Sequence, residues 1–118
     1  MSQTSPSLLD TVINALEEMK AKNITTLEIG SMTSLADHMV IASGTSTRHV
    51  KALSDTVQEK TRDAGFAAVG VEGEQSAEWI LVDLGDVIVH IMQPSTREYY
   101  DLERLWRNPA HHPDRKET

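Results

Sequence analysis

A chain of 118 residues has the length of one domain, and at that size folding removes roughly two-thirds of the unfolded chain's surface from water, enough for a core without covalent staples. The chain has no cysteine, which excludes a disulfide framework, a thiolate metal site and a cysteine nucleophile and fits a reducing cytoplasm. Eleven Lys plus Arg against eighteen Asp plus Glu give a net charge of −7, a balance that disfavours phosphate-driven nucleic-acid binding and favours a basic protein partner.

The first twenty residues mix Ser, Thr, Asp and Glu with apolar positions and lack the basic start of a secretory signal. No apolar run approaches the roughly 20 residues needed to span a bilayer, so the expected location is the cytoplasm, with no membrane contact. Ser5-Pro6-Ser7 opens a first helix with Leu8, Val12, Leu16 and Met19 on one stripe beside Leu9 and Ile13, ending near Lys22-Asn23. Residues 24–29 read as a strand, 30–34 as a polar loop, and 38–43 as a second strand. Gly44-Thr45-Ser46-Thr47 supplies a turn and an N-cap for a second helix carrying Val50, Leu53 and Val57, with Gly65 at its C′ position. A strand over 66–71 follows, and a crossover of this length sets its two strands parallel.

Residues 78–84 and 87–92 form a hairpin around Gly85-Asp86. Ser95-Thr96-Arg97-Glu98 has the form of a capping box and begins a last helix with Tyr99, Leu102, Leu105 and Trp106 as its apolar stripe. The expectation is an α/β domain over residues 1–106 with element order α-β-β-α-β-β-β-α, a mixed five-stranded sheet with packed helices, and a disordered tail over 107–118.

The hairpin register predicts two apolar faces. Leu84 opposite Val87, Val82 opposite Val89 and Ile80 opposite Ile91 make a wholly aliphatic core face. The reverse face pairs Asp83 with Ile88, Leu81 with His90 and Trp79 with Met92. A solvent-facing side usually reads polar, so this face needs either the last helix folded over it or a partner. Trp and Met are enriched at interface centres.

Chemistry is sparse. The Ser43-Gly44-Thr45-Ser46 turn offers backbone N–H groups to a phosphate, against the simpler reading of helix capping. A nucleotidyl transferase would add two carboxylates on alternating strand positions to hold magnesium; Asp55 and Glu59 lie on a helix instead. Asp83 and Asp86 flank the hairpin turn, and Asp86 reads as a turn residue. Arg48-His49 offers an anion contact or an ordinary first turn. His38, His49, His90 and the pair His111-His112 lack zinc-type spacing, and no G-x-S-x-G elbow is present. No catalytic residue, metal site or cofactor is expected; the enzyme alternative is a nucleotide-binding or nucleotidyl-transferring protein using the Gly44–Ser46 turn.

Several motifs in fixed order carry a resemblance: Ala36-Asp37, Ile41-Ala42-Ser43-Gly44-Thr45-Ser46, Arg48-His49-Val50, Gly70-Val71-Glu72-Gly73, Trp79, Asp83-Leu84-Gly85-Asp86-Val87-Ile88-Val89-His90, and Leu102-Glu103 with Leu105-Trp106. From Leu8 to Trp106 the chain resembles the ribosomal silencing factor family RsfS, also called Iojap. The resemblance implies a nucleotidyltransferase-like fold without its catalytic carboxylates. It also implies binding to ribosomal protein fourteen of the large subunit, blocking subunit joining and slowing translation under nutrient limitation. By that resemblance Trp79 is expected on the family's contact surface; Leu81, Met92 and Tyr100 extend the expected surface by hairpin register and helix position. Many members carry aromatic residues where His38 and Met39 stand, and the tail after Trp106 lies outside the family pattern. Direct nucleic-acid contact is expected to be minor, and a homodimer through the same face is the competing use of the patch.

Overall fold

The computed structural model describes residues 7–107. Residues 1–6 and 108–118, including the expected tail and the His111-His112 pair, lie outside the described residues.

Helix α1 spans Leu8–Glu18, with the Ser7 hydroxyl accepting from the Asp10 N–H at 3.1 Å. Its buried positions, Leu8, Val12, Ala15 and Leu16, repeat at helical spacing. The helix ends four residues before the expected boundary because Lys20 turns into the left-handed region at φ 62°. There its N–H bonds the Glu17 carbonyl and the Ala21 N–H reaches back to Leu16. Strand β1 then begins early, at Lys22–Glu28, with a register break between Lys22 and Thr25 around Asn23 at φ 51°.

Strand β2 is His38–Ser43 and helix α2 is Thr47–Asp63, capped by the Ser46 hydroxyl and closed by Gly65 at φ 98°. Both match the sequence reading. The next strand does not. Phe66 donates its N–H to the Thr61 carbonyl as part of the α2 stop signal, so β3 is only Gly70–Glu72. Strands β4 (Trp79–Asp83) and β5 (Val87–Met92) complete a sheet of order β1-β2-β5-β4-β3. Only β2 and β5 pair in parallel, so the sheet is mixed. Following the pairings across the sheet, β2 and β3 run in the same direction, as expected of the crossover, but β5 and β4 lie between them.

The expected last helix is two helices, α3 (Pro94–Tyr100) and α4 (Leu102–Arg107), giving four helices in all among the described residues. Pro94 at the first helical position starts α3 ahead of Ser95, so the Ser95–Glu98 capping box does not form and Gln93 caps without a side-chain bond. Asp101, at φ 51° and ψ 51°, then breaks the chain between the two helices. Tyr99 consequently leaves the apolar stripe and is 81% exposed, whereas Trp106 on α4 is 6% exposed.

The sheet has an apolar layer on each side. Val40, Ala42, Ile80, Val82, Leu84, Val87, Val89 and Ile91 pack against α1 and α2. On the reverse side Leu27, Ile29, Met39, Ile41 and Met92 pack with Ala36 from the β1–β2 loop and with Trp106.

Candidate partner-binding face

The β4–β5 pairing is the expected one: Trp79 opposite Met92, Ile80 opposite Ile91, Leu81 opposite His90, Val82 opposite Val89 and Asp83 opposite Ile88. The turn closes with the Leu84 N–H on the Val87 carbonyl and Gly85 at φ 88°. It is Asp83, not Asp86, that supports the turn through its side chain, accepting the Gly85 N–H at 2.9 Å.

Among the described residues, the last helices cover only one half of the reverse face. Helices α3 and α4 cover the part built from β1, β2 and β5, so Met92 is 0% exposed and packs in the second core. This corrects the expectation that Met92 presents a contact surface: its side chain supports the face from below. Among the described residues the β4–β3 half has no helix over it beyond Tyr100 against Trp79, which also packs on the edge of the second core. Trp79 and Leu81 are half-buried there and line a groove of about 510 Å³ with Glu72 and Gly73. Tyr100, 53% exposed, borders it with its ring centroid 4.7 Å from that of Trp79, and Tyr99 meets Tyr100 edge-on at 4.9 Å. A second hollow of about 300 Å³ is lined by these tyrosines with Asp101, Arg104 and Leu105. Trp79, Leu81 and Tyr100 are thus brought together on one uncovered apolar surface with carboxylates at its margin.

Beneath this surface the Trp79 indole N–H donates to His90 Nδ1 at 2.9 Å. His90 is 6% exposed, and burial lowers its pKa from 6.5 to about 4 by penalising the charged ring. Indole nitrogen is a donor only, so Nδ1 is the acceptor and the imidazole proton sits on Nε2. Gly73 shapes the groove floor: at φ 89° a Cβ there would collide with the Trp79 carbonyl oxygen.

The Gly44 turn is occupied by its own structure. A Cβ on Gly44 would lie 2.8 Å from Val50 Cγ2, so the glycine admits the first turn of α2. Ser46 Oγ caps His49 N–H at 3.1 Å. Ser43 Oγ accepts from Arg97 Nη1 at 2.9 Å. His49 is not a free anion contact, because Nδ1 accepts the Thr45 N–H and Nε2 donates to the Met19 carbonyl, both at 2.9 Å, tying α2 to the end of α1. Among the described residues no group of three or more His, Asp or Glu is placed to hold a metal ion, and no helix is long and apolar enough to cross a membrane.

The family model described as "Ribosomal silencing factor during starvation", RsfS, matches residues 2–118. The chain belongs to this family. The RsfS match includes the segment after Trp106, contrary to the expectation that this tail lies outside the family pattern. The ribosomal silencing factor RsfS of Chromobacterium violaceum is 52% identical over 94 residues, covering 80% of this chain and 77% of that protein. The RsfS of Haemophilus influenzae is 41% identical, covering 85% of this chain and 98% of the relative. A crystal structure of a Chromobacterium violaceum protein superposes with a TM-score of 0.85 at 43% identity, covering 98% of this chain and 92% of that one.

Two features escaped sequence reasoning. Arg97, taken for part of a capping box, is buried, with Nε on Glu103 Oε1 at 2.9 Å and Nη2 on Thr25 Oγ1 at 3.0 Å in addition to Ser43. The Trp79–His90 bond is diagonal, between residues that do not face each other across the strands, so a list of directly opposed pairs does not show it.

Proposed function

We propose that this RsfS-family chain acts in the cytoplasm by binding ribosomal protein fourteen of the large subunit through the open β4–β3 half of its reverse face, so that its bulk blocks subunit joining and represses translation under nutrient limitation. The observation that supports this most is the uncovered surface of Trp79, Leu81 and Tyr100 beside Glu72 and Asp101. A partner of basic character is drawn to the −7 chain and held by apolar burial at the centre. No bond is made or broken in such a role. The engagement of Gly44, Ser43 and Ser46 in internal packing and hydrogen bonds argues against the nucleotide-handling alternative.

Calorimetry with purified ribosomal protein fourteen tests the partner. Saturable one-to-one heat is expected, and its absence at high micromolar concentration counts against the assignment. Titrating nucleotides with magnesium in the same instrument should give no heat. A homodimer occupying the same face would instead show twice the monomer mass in solution and would compete with the ribosomal protein.

A further inference from the structure

We propose that His90 is a positioning residue for the docking face, whose Nδ1 holds the Trp79 indole with its N–H turned inward and its carbon framework left as the wall of the groove. The inference rests on the docking reading above and adds a residue that lies beneath the surface.

The surroundings of His90 make its identity informative. It sits between Ile88 and Met92 on the same face of β5, opposite Leu81 on β4 and Ile41 on β2, all apolar neighbours among which an aliphatic side chain would pack at no desolvation cost. The imidazole is nonetheless there, and its Nδ1 takes the indole N–H at 2.9 Å with ring centroids 5.7 Å apart. Burial keeps the ring neutral, with its pKa at about 4, so the acceptor lone pair is present throughout the physiological range.

The pair solves a problem that a docking tryptophan creates. When a partner closes over the groove, an indole N–H facing outward must find an acceptor on that partner or lose its water unpaired. Satisfying it internally leaves the exposed part of the ring apolar and indifferent to such a match. The bond also selects one ring orientation, together with Tyr100 packed at 4.7 Å, so less freedom is lost on binding.

The test uses the full chain. Each variant is assayed for binding to purified large ribosomal subunits, and the indole proton–nitrogen signals are recorded in parallel. The chain has two tryptophans, and Trp79→Phe identifies the Trp79 signal by its disappearance. His90→Leu removes the acceptor; His90→Asn keeps an oxygen close to the Nδ1 position. The expected results are that His90→Leu moves the Trp79 indole signal and weakens binding about tenfold, while His90→Asn binds within about threefold of the wild type. In a Trp79→Phe background, where the indole N–H that His90 accepts is gone, His90→Leu should change binding less than about twofold. That arm separates positioning from general loss of structure, because a merely structural histidine would cost the same in both backgrounds. Wild-type binding with an equally tight His90→Leu variant overturns the positioning role alone, as does an equal loss in the two backgrounds. Failure of the wild-type chain itself to bind overturns the docking reading and this inference with it, even if the indole signal still reports the hydrogen bond.

Discussion

At the scale of single residues, two positions at the open face make measurable demands on stability. His90 has its folded pKa depressed from 6.5 to about 4. The unfolded chain therefore binds more protons than the folded one between those values, and stability rises with pH across that window. The contribution is complete above about pH 6.5 and is lost progressively as pH falls toward 4, a change on the order of 3 kcal/mol. Urea midpoints of wild type and His90→Leu between pH 7 and 4.5 check this. The wild type should lose stability more steeply on acidification, and parallel curves would remove His90 as the cause. Gly73→Ala places a Cβ against the Trp79 carbonyl in a left-handed backbone; it should cost ~2 kcal/mol or more by urea unfolding. A neutral outcome would mean that the groove floor can relax.

The secondary elements show where local patterns suffice and where they do not. Both caps of α2 were readable, because Ser46 and Gly65 act through residues adjacent to them in sequence. The β4–β5 register was readable for the same reason: a two-residue loop leaves one alignment of the flanking apolar runs. The C-terminal end was not. Its split at Asp101 and the inward turn of Trp106 are accompanied by a buried guanidinium linking α3 to Glu103, Ser43 and Thr25, residues up to 72 positions away. Nothing in the Ser95–Glu98 pattern encodes that contact. For the same reason Trp79, Leu81 and Tyr100 could be placed on one face from the sequence while the burial of Met92 could not. Arg97→Met should unlatch α3 and α4 from the sheet at a cost of about 2–3 kcal/mol, leaving the Glu103 carboxylate without this partner. Amide exchange in α4 should then accelerate more than in α2; uniform acceleration would mean that the two helices open only with the whole domain.

For the molecule as a whole, the described residues of an acidic domain bury the centre of one side of the sheet under α1 and α2 and cover the other side only halfway. Trp79 lines the open half, with the Tyr100 ring against it, His90 accepting its indole N–H and Gly73 beside its carbonyl. Charge of −7 should speed encounter with a basic ribosomal surface, and apolar contact should set the lifetime of the complex. Raising salt is therefore expected to slow association while leaving dissociation nearly constant in surface-immobilised kinetics. Trp79→Ala should fold, retain its circular dichroism, and weaken binding by about 2–4 kcal/mol if the indole is an anchor of the interface.

Blocking of subunit joining is the central claim, and separated ribosomal subunits mixed with the purified protein on a sucrose gradient test it most directly. The wild-type chain should migrate with the large subunit and lower the fraction of joined ribosomes, and folded Trp79→Ala should do neither. Unchanged joining at saturating wild-type protein would contradict the account.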